Sequence, residues 1–163
     1  MARRVMSWVL ILFTVALVGC DHATKAVAQA ALERRAPLSI VPGVLDLRYA
    51  ENRDMAFSLL RGIQSPAKVA FLFAWSMIAL GVVILGWWRS RHASVAEQAG
   101  YALIVAGAIG NAIDRAVRGY VIDFIHLHRW PVFNVADIAI VAGGVLLGIV
   151  MFQRARRAPR EAS

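Results

Sequence analysis

The sequence predicts an all-α membrane protein: four transmembrane helices with a small extracytoplasmic β element between the first and second. Three observations carry this reading. Of the 163 residues 60% are hydrophobic and only 17% charged, with a mean hydropathy of +0.61, too apolar for a water-soluble domain of this length. Four stretches reach or approach the ~20 apolar residues that cross a hydrocarbon layer of ~30 Å. The basic residues gather at the ends of alternate stretches, as they do in membrane proteins of fixed orientation. With no repeat, no low-complexity tract and no appended soluble region, residues 1–163 read as a single membrane domain.

The first span is expected over residues 5–31. Its unbroken apolar part lies between Arg4 and Asp21 and has a basic start, which is also how a secretory signal reads. Leu17, Val18, Gly19 and Cys20 spell a lipobox, so this segment taken alone would describe a lipoprotein precursor. Three later spans argue against that, and Cys20 is read as a helix residue; as the sole cysteine it forms no internal disulfide.

Residues 37–60 differ from the spans. Leu38, Ile40, Val44, Leu45, Leu47 and Tyr49 stand among polar residues, with Pro42 and Gly43 as a turn signal, and short strands fit best. The second span, 67–88, ends on Trp87 and Trp88 beside Arg89, an interfacial anchor. The third covers 96–113. From Tyr120 to Leu127 the run is too short to decide between strand and helix. The fourth, 135–152, begins after Pro131, near Phe133 or Asn134.

A formal charge of +8 suggests nucleic acid until its distribution is read. Arg3 and Arg4 precede span 1, Arg89 and Arg91 join spans 2 and 3, and Arg154, Arg156, Arg157 and Arg160 follow span 4. Alternating spans put all three clusters on one side, which the positive-inside rule makes cytoplasmic. In or beside the outer loops lie Arg34, Arg35, Arg48, Arg53, Arg61, Lys68, Arg115, Arg118 and Arg129 as well, a countercurrent to that orientation. No nucleic-acid partner is expected.

Asp123 and Asp137 lie at the edges of apolar stretches, where a carboxylate is costly and therefore reads as functional. If the fold brings them together, they form the pair of acids an aspartyl hydrolase needs. Around them stand polar residues with bland alternatives. Asp21 and Lys25 are four apart, the spacing of a helical ion pair. Asn111, Asp114 and Arg115 share a helix face, where they could hold a peptide or merely end the span. Asn134 and Asp137 are three apart, the spacing of an N-cap and its reciprocal partner. His126 and His128 would share one face of a strand, and with His22 raise a metal reading; no third ligand follows at a persuasive spacing, so no metal or other cofactor is expected. No serine or cysteine motif names a nucleophile.

Together, DHATK (21–25), VPGVLDLRYAEN (41–52), AFS (56–58), GNAIDR (110–115), VIDF (121–124) and FNVAD (133–137) resemble one family, the lipoprotein signal peptidases, or signal peptidase II. The resemblance implies an aspartyl endopeptidase of the bacterial inner membrane, with four spans, both termini cytoplasmic and an active site on the periplasmic side. It implies cleavage of diacylglyceryl-modified prolipoproteins just before the lipidated cysteine, beside membrane lipid, and inhibition by globomycin-type compounds. By motif match the catalytic residues are Asp123 and Asp137, and the substrate-binding or supporting residues Asp21, Lys25, Asn52, Asn111, Arg115 and Asn134. Asp54 and Met55 stand where the family usually has glycine and a small residue, which marks a divergent member.

Of two neighbouring carboxylates one is expected to keep its proton. Asp137, near a helix N-terminus, is the expected anion and Asp123 the proton holder. The alternative from another class is a small transporter or ion-conducting bundle that uses both acids as an ion path.

Overall fold

The computed structural model describes residues 2–53, 66–90 and 92–157. Asp54, Met55 and the AFS motif lie outside them. In chain order the elements are α1 (Ala2–Leu32), β1 (Leu38–Val41), β2 (Leu45–Asn52), α2 (Pro66–Arg89), α3 (Val95–Arg118), β3 (Val121–Leu127) and α4 (Val135–Arg157).

Helix α1 has 31 residues, about 46 Å at 1.5 Å per residue, longer than the bilayer core. It runs without a break through Cys20, which is exposed. Thr14 returns its hydroxyl to the Leu10 carbonyl at 2.8 Å, so this polar group needs no partner outside the helix.

The strands between α1 and α2 form a hairpin closed by the expected turn. Val44 N–H donates to the Val41 carbonyl at 2.9 Å, and Gly43 takes φ 74°. Pro at the second and Gly at the third position, with positive φ at the glycine, make a type II turn. The β element is larger than the sequence reading allowed. Residues 121–127, ambiguous by pattern, form a third strand, and the antiparallel sheet runs β1-β2-β3. Cross-strand partners decide what local periodicity could not: Ala50 faces Asp123 and Asn52 faces Val121, with a register break between Leu47 and Ala50.

Helix α3 is capped at both ends. The Ser94 hydroxyl accepts from Glu97 N–H, and Gly119 ends the helix in the left-handed region at φ 77°, donating to the Arg115 carbonyl. It therefore runs five residues beyond the expected 113, and Asp114 and Arg115 lie inside its last turns rather than ending it. Likewise α4 extends past 152 to Arg157, with Arg154, Arg156 and Arg157 favourably placed at its C-terminus.

Helix α3 packs against the other three helices. Its antiparallel contact with α4 is close because glycines line it. A Cβ on Gly107 would lie 2.2 Å from the Ala136 carbonyl oxygen, and one on Gly143 2.6 Å from the Gly100 carbonyl oxygen. Small residues let the backbones approach this far. By contrast Gly144 and Gly148 have nothing within 4 Å. At the other end of the pair Arg154 reaches Glu97 at 3.7 Å.

Trp8, Leu12, Val15, Trp75, Val82, Trp88, Val141 and Phe152 are among the large apolar side chains left exposed on the helices. A surface this apolar matches lipid, not water. Among the described residues, Trp8–Leu32 and Val135–Arg157 are long and apolar enough to cross a membrane, and the apolar part of α2, Ala74–Arg89, is shorter.

Candidate active site

Both aspartates arrive at one place by different routes. Asp137 is carried by the first turn of α4, and Asp123 by β3. The start of α4 is a reciprocal cap: Asp137 N–H donates to Asn134 Oδ1 at 3.0 Å, and Asn134 N–H donates to Asp137 Oδ2 at 3.2 Å. Capping and chemistry share these residues, because the Asn134 amide has a second set of contacts. Its Nδ2 donates to Asp123 Oδ1 at 2.7 Å and also lies within reach of Asn111 Oδ1 and the Ile122 carbonyl, at 3.1 and 3.3 Å.

Asn111, from α3, completes the bridge. Its Nδ2 donates to Asp137 Oδ1 at 2.8 Å, while its Oδ1 accepts from Lys25 Nζ at 3.0 Å. An ammonium only donates and a carboxylate only accepts, so these neighbours fix which way the amide faces. Asn52, from β2, donates to Asp123 Oδ2 at 2.9 Å. Each oxygen of each aspartate therefore accepts a hydrogen bond.

Beneath this layer Lys25 is fully buried. Its Nζ lies 2.7 Å from Asp21 Oδ2 and 2.9 Å from Asp114 Oδ2. Asp114 is the better held of the two acids: it also pairs with Arg118, lies 3.8 Å from His22 Nδ1 and accepts from Ile122 N–H at 3.4 Å. Asp21 Oδ1 accepts from Ala136 N–H at 3.0 Å, but its Oδ2 has no well-aligned hydrogen bond despite the ion pair. A Cβ on Gly110 would come within 2.6 Å of that oxygen, so glycine there makes room for the carboxylate. Lys25 thus joins α1 to α3, and Asp21 joins α1 to α4.

Arg115 is half-buried, and its guanidinium is coupled electrostatically to Asp137 first, then to Asp123 and Asp114. Seven of the eight residues singled out from the sequence are therefore joined in one hydrogen-bonded network, and Arg115 lies beside it. Arg118 and His22 belong to it as well, and sequence reasoning gave Arg118 only a topological role and His22 a metal role; Arg118, four residues after Asp114, carried a helical ion-pair signal. Tyr49 and Tyr120, hydroxyl to hydroxyl at 3.5 Å, flank the β2–β3 edge, with Arg53 over the Tyr120 ring at 5.1 Å.

Asp123 is 2% exposed. Burial, and next the charge of Asp137, push its carboxyl up to about 7, against the opposing hydrogen bonds from Asn52 and Asn134. At neutral pH it is poised to hold or release a proton. Asp137 accepts a backbone N–H at a helix N-terminus, an arrangement that suits the anion. Two neighbouring carboxyls of which one keeps its proton can act as a general base and a general acid.

Residues 13–153 match the family described as Signal peptidase (SPase) II. The chain is 41% identical over 142 residues to the lipoprotein signal peptidase of Syntrophomonas wolfei, covering 87% of this chain and 91% of that protein. It is 39% identical to that of Caldicellulosiruptor bescii, over 86% and 85% of the two chains. In three dimensions it resembles a bacterial membrane enzyme solved by the in meso method at 2.3 Å resolution, with a TM-score of 0.76 and 26% identity over 90% of this chain and 89% of that one.

Proposed function

The chain belongs to the signal peptidase II family and is an aspartic peptidase with lipoprotein signal peptidase activity, and on that premise we propose that Asp123 and Asp137 are its catalytic pair. The observation that carries this is the double amide bridge, in which Asn134 and Asn111 hold the two carboxyls of β3 and α4 in one network.

The ionised Asp137 takes a proton from water as the oxygen attacks the scissile carbonyl. Asp123, protonated, donates to the carbonyl oxygen and stabilises the tetrahedral intermediate. Collapse of that intermediate breaks the C–N bond: the re-forming carbonyl returns its proton to Asp123, and the amine leaves with the proton gained by Asp137. Arg115 lies near both acids, placed to bind substrate carbonyl groups. Lys25, Asp21 and Asp114 do no chemistry; they hold Asn111 and the start of α4 in place.

The substrates are diacylglyceryl-modified prolipoproteins, cut just before the lipidated cysteine. All four helices span the bacterial inner membrane, both termini are cytoplasmic and the sheet and site are periplasmic, in accord with Arg89 and Arg154–Arg157 at the opposite helix ends. The precursor enters laterally with its acyl chains still in lipid, and globomycin-type inhibitors occupy the same cleft.

The test is digestion of a lipidated precursor by purified protein, with both products identified by mass spectrometry. The proposal requires a new N-terminus at the lipidated cysteine and its loss in Asp123→Asn and in Asp137→Asn. Cleavage elsewhere, or turnover retained in either folded variant, refutes it.

A further inference from the structure

At the opposite end of β3 from the aspartates, a second cluster has no part in the chemistry above. Asp46 on β2 is the cross-strand partner of His126 on β3. Its Oδ2 lies 2.9 Å from His128 Nε2 and 3.7 Å from His126 Nδ1, and the three ligand atoms all fall within 4.8 Å of one another. His128 follows β3 but stays in the ladder, its N–H donating to the Val44 carbonyl at 2.9 Å. The H-x-H pair thus finds the third ligand that the linear sequence did not offer.

We propose that Asp46, His126 and His128 form a binding site for a divalent first-row transition cation of the Zn²⁺ class. Two imidazoles and a carboxylate suit such an ion. Ligand bonds of about 2.0–2.2 Å in a tetrahedron put ligand atoms roughly 3.3–3.6 Å apart, between the 2.9 and 3.7 Å that separate the carboxylate oxygen from the two imidazole nitrogens. His126 Nδ1 is buried and makes no hydrogen bond, which leaves its lone pair free for a cation. Ser39, the cross-strand partner of Asp46 on β1, stands beside the cluster and outside the ligand set. His128 is 45% exposed and borders an open cleft with Gly43, Val44, Leu127 and Arg129, so water can fill the fourth position.

Bound there, the ion staples β2 to β3 on the far side of the register break between Leu47 and Ala50. Those are the strands that carry Asn52 and Asp123. The role is structural: the ion lies in the periplasmic sheet and supports the pairing that keeps Asn52 on Asp123.

Tag-free, metal-stripped protein in detergent is titrated with Zn²⁺ against a chromophoric chelator, and its thermal unfolding is followed with and without Zn²⁺. Wild type should bind one saturable equivalent and unfold at a higher temperature with the ion. Asp46→Asn, His126→Gln and His128→Gln should each weaken binding by at least ~10–100-fold and lose the thermal shift, while still cleaving precursor. His128, being exposed, is the replacement that the fold tolerates best. Co²⁺ substituted into wild type should show the intense visible bands of a low-coordinate site, absent in the variants. No saturable binding by wild type, or equal affinity in all four proteins, would overturn the proposal.

Discussion

Replacing Lys25 with methionine keeps the volume of the side chain but removes its charge from between two buried acids. Asp21 and Asp114 are 2% and 0% exposed, so neither can turn to water. Breaking one buried ion pair typically costs about 3–5 kcal/mol, because the remaining charge is stranded. The structure indicates one stranded charge, not two. Asp114 keeps Arg118, His22 and the Ile122 N–H, whereas among the described residues Asp21 keeps the Ala136 N–H alone. Lys25→Met should therefore destabilise by about 3–5 kcal/mol, read from unfolding in mixed detergent and SDS micelles. Adding Asp21→Asn should recover about 2 kcal/mol or more of that loss, and adding Asp114→Asn much less. Turnover should also fall, by up to about 100-fold, since Asn111 loses the ammonium that fixes its amide toward Asp137. A loss below about 1 kcal/mol, or a larger rescue by Asp114→Asn than by Asp21→Asn, would refute the reasoning.

Other expectations follow from the same contacts. Gly107→Ala would drive a Cβ into the Ala136 carbonyl and should cost about 1–3 kcal/mol together with activity, whereas Gly148→Ala meets nothing and should be neutral or slightly stabilising; paired unfolding curves decide this. With Asp123 raised to about 7 as the general acid, cleavage should decline as pH rises through that value. The Asn52 bond favours the charged form, so Asn52→Ala should move the declining limb upward by about 1–2 pH units, seen in kcat/KM against pH. In stability the sign is the same: the folded state holds this proton more tightly than the unfolded one, whose ordinary value is 3.8. The stabilisation is full below about 3.8 and is lost as pH rises through about 7. Asp123→Asn should thus gain stability relative to wild type at pH 8 compared with pH 3, as measured by denaturant titration at both values.

Much of the site was legible because its parts are short-range. The Asp21–Lys25 pair, the Asn134–Asp137 cap and the Asn111–Asp114 face are each spacings within one helix, and each is formed. What spacing could not convey is how they interlock. Lys25 reaches Asn111 across 86 residues, Asn52 reaches Asp123 across 71 and Ala136 reaches Asp21 across 115. Only the ordered family motifs indicated that these fragments converge.

The strand at 121–127 escaped the pattern reading for a related reason. Val121 to Phe124 are all buried, so no alternation of apolar and polar residues marks a strand; the β2 partner supplies what the pattern lacks. The apolar pattern ends the helices too early where charges lie inside the last turns, at Asp114 and Arg115 and again at Arg154 to Arg157. Apolarity ends before the hydrogen-bonded helix does. The H-x-H pair has no third ligand nearby in the linear sequence; the sheet register places one opposite His126 from 80 residues earlier in the chain.

The most direct test of the account is single-turnover cleavage of a lipidated prolipoprotein by wild type, Asp123→Asn and Asp137→Asn, each with its fold verified by unfolding in detergent. The account predicts that either asparagine lowers the rate of bond breaking by at least ~10²-fold, the low end of what a general acid or base supplies, with precursor still bound. Cleavage within about 10-fold of wild type by either folded variant would contradict it.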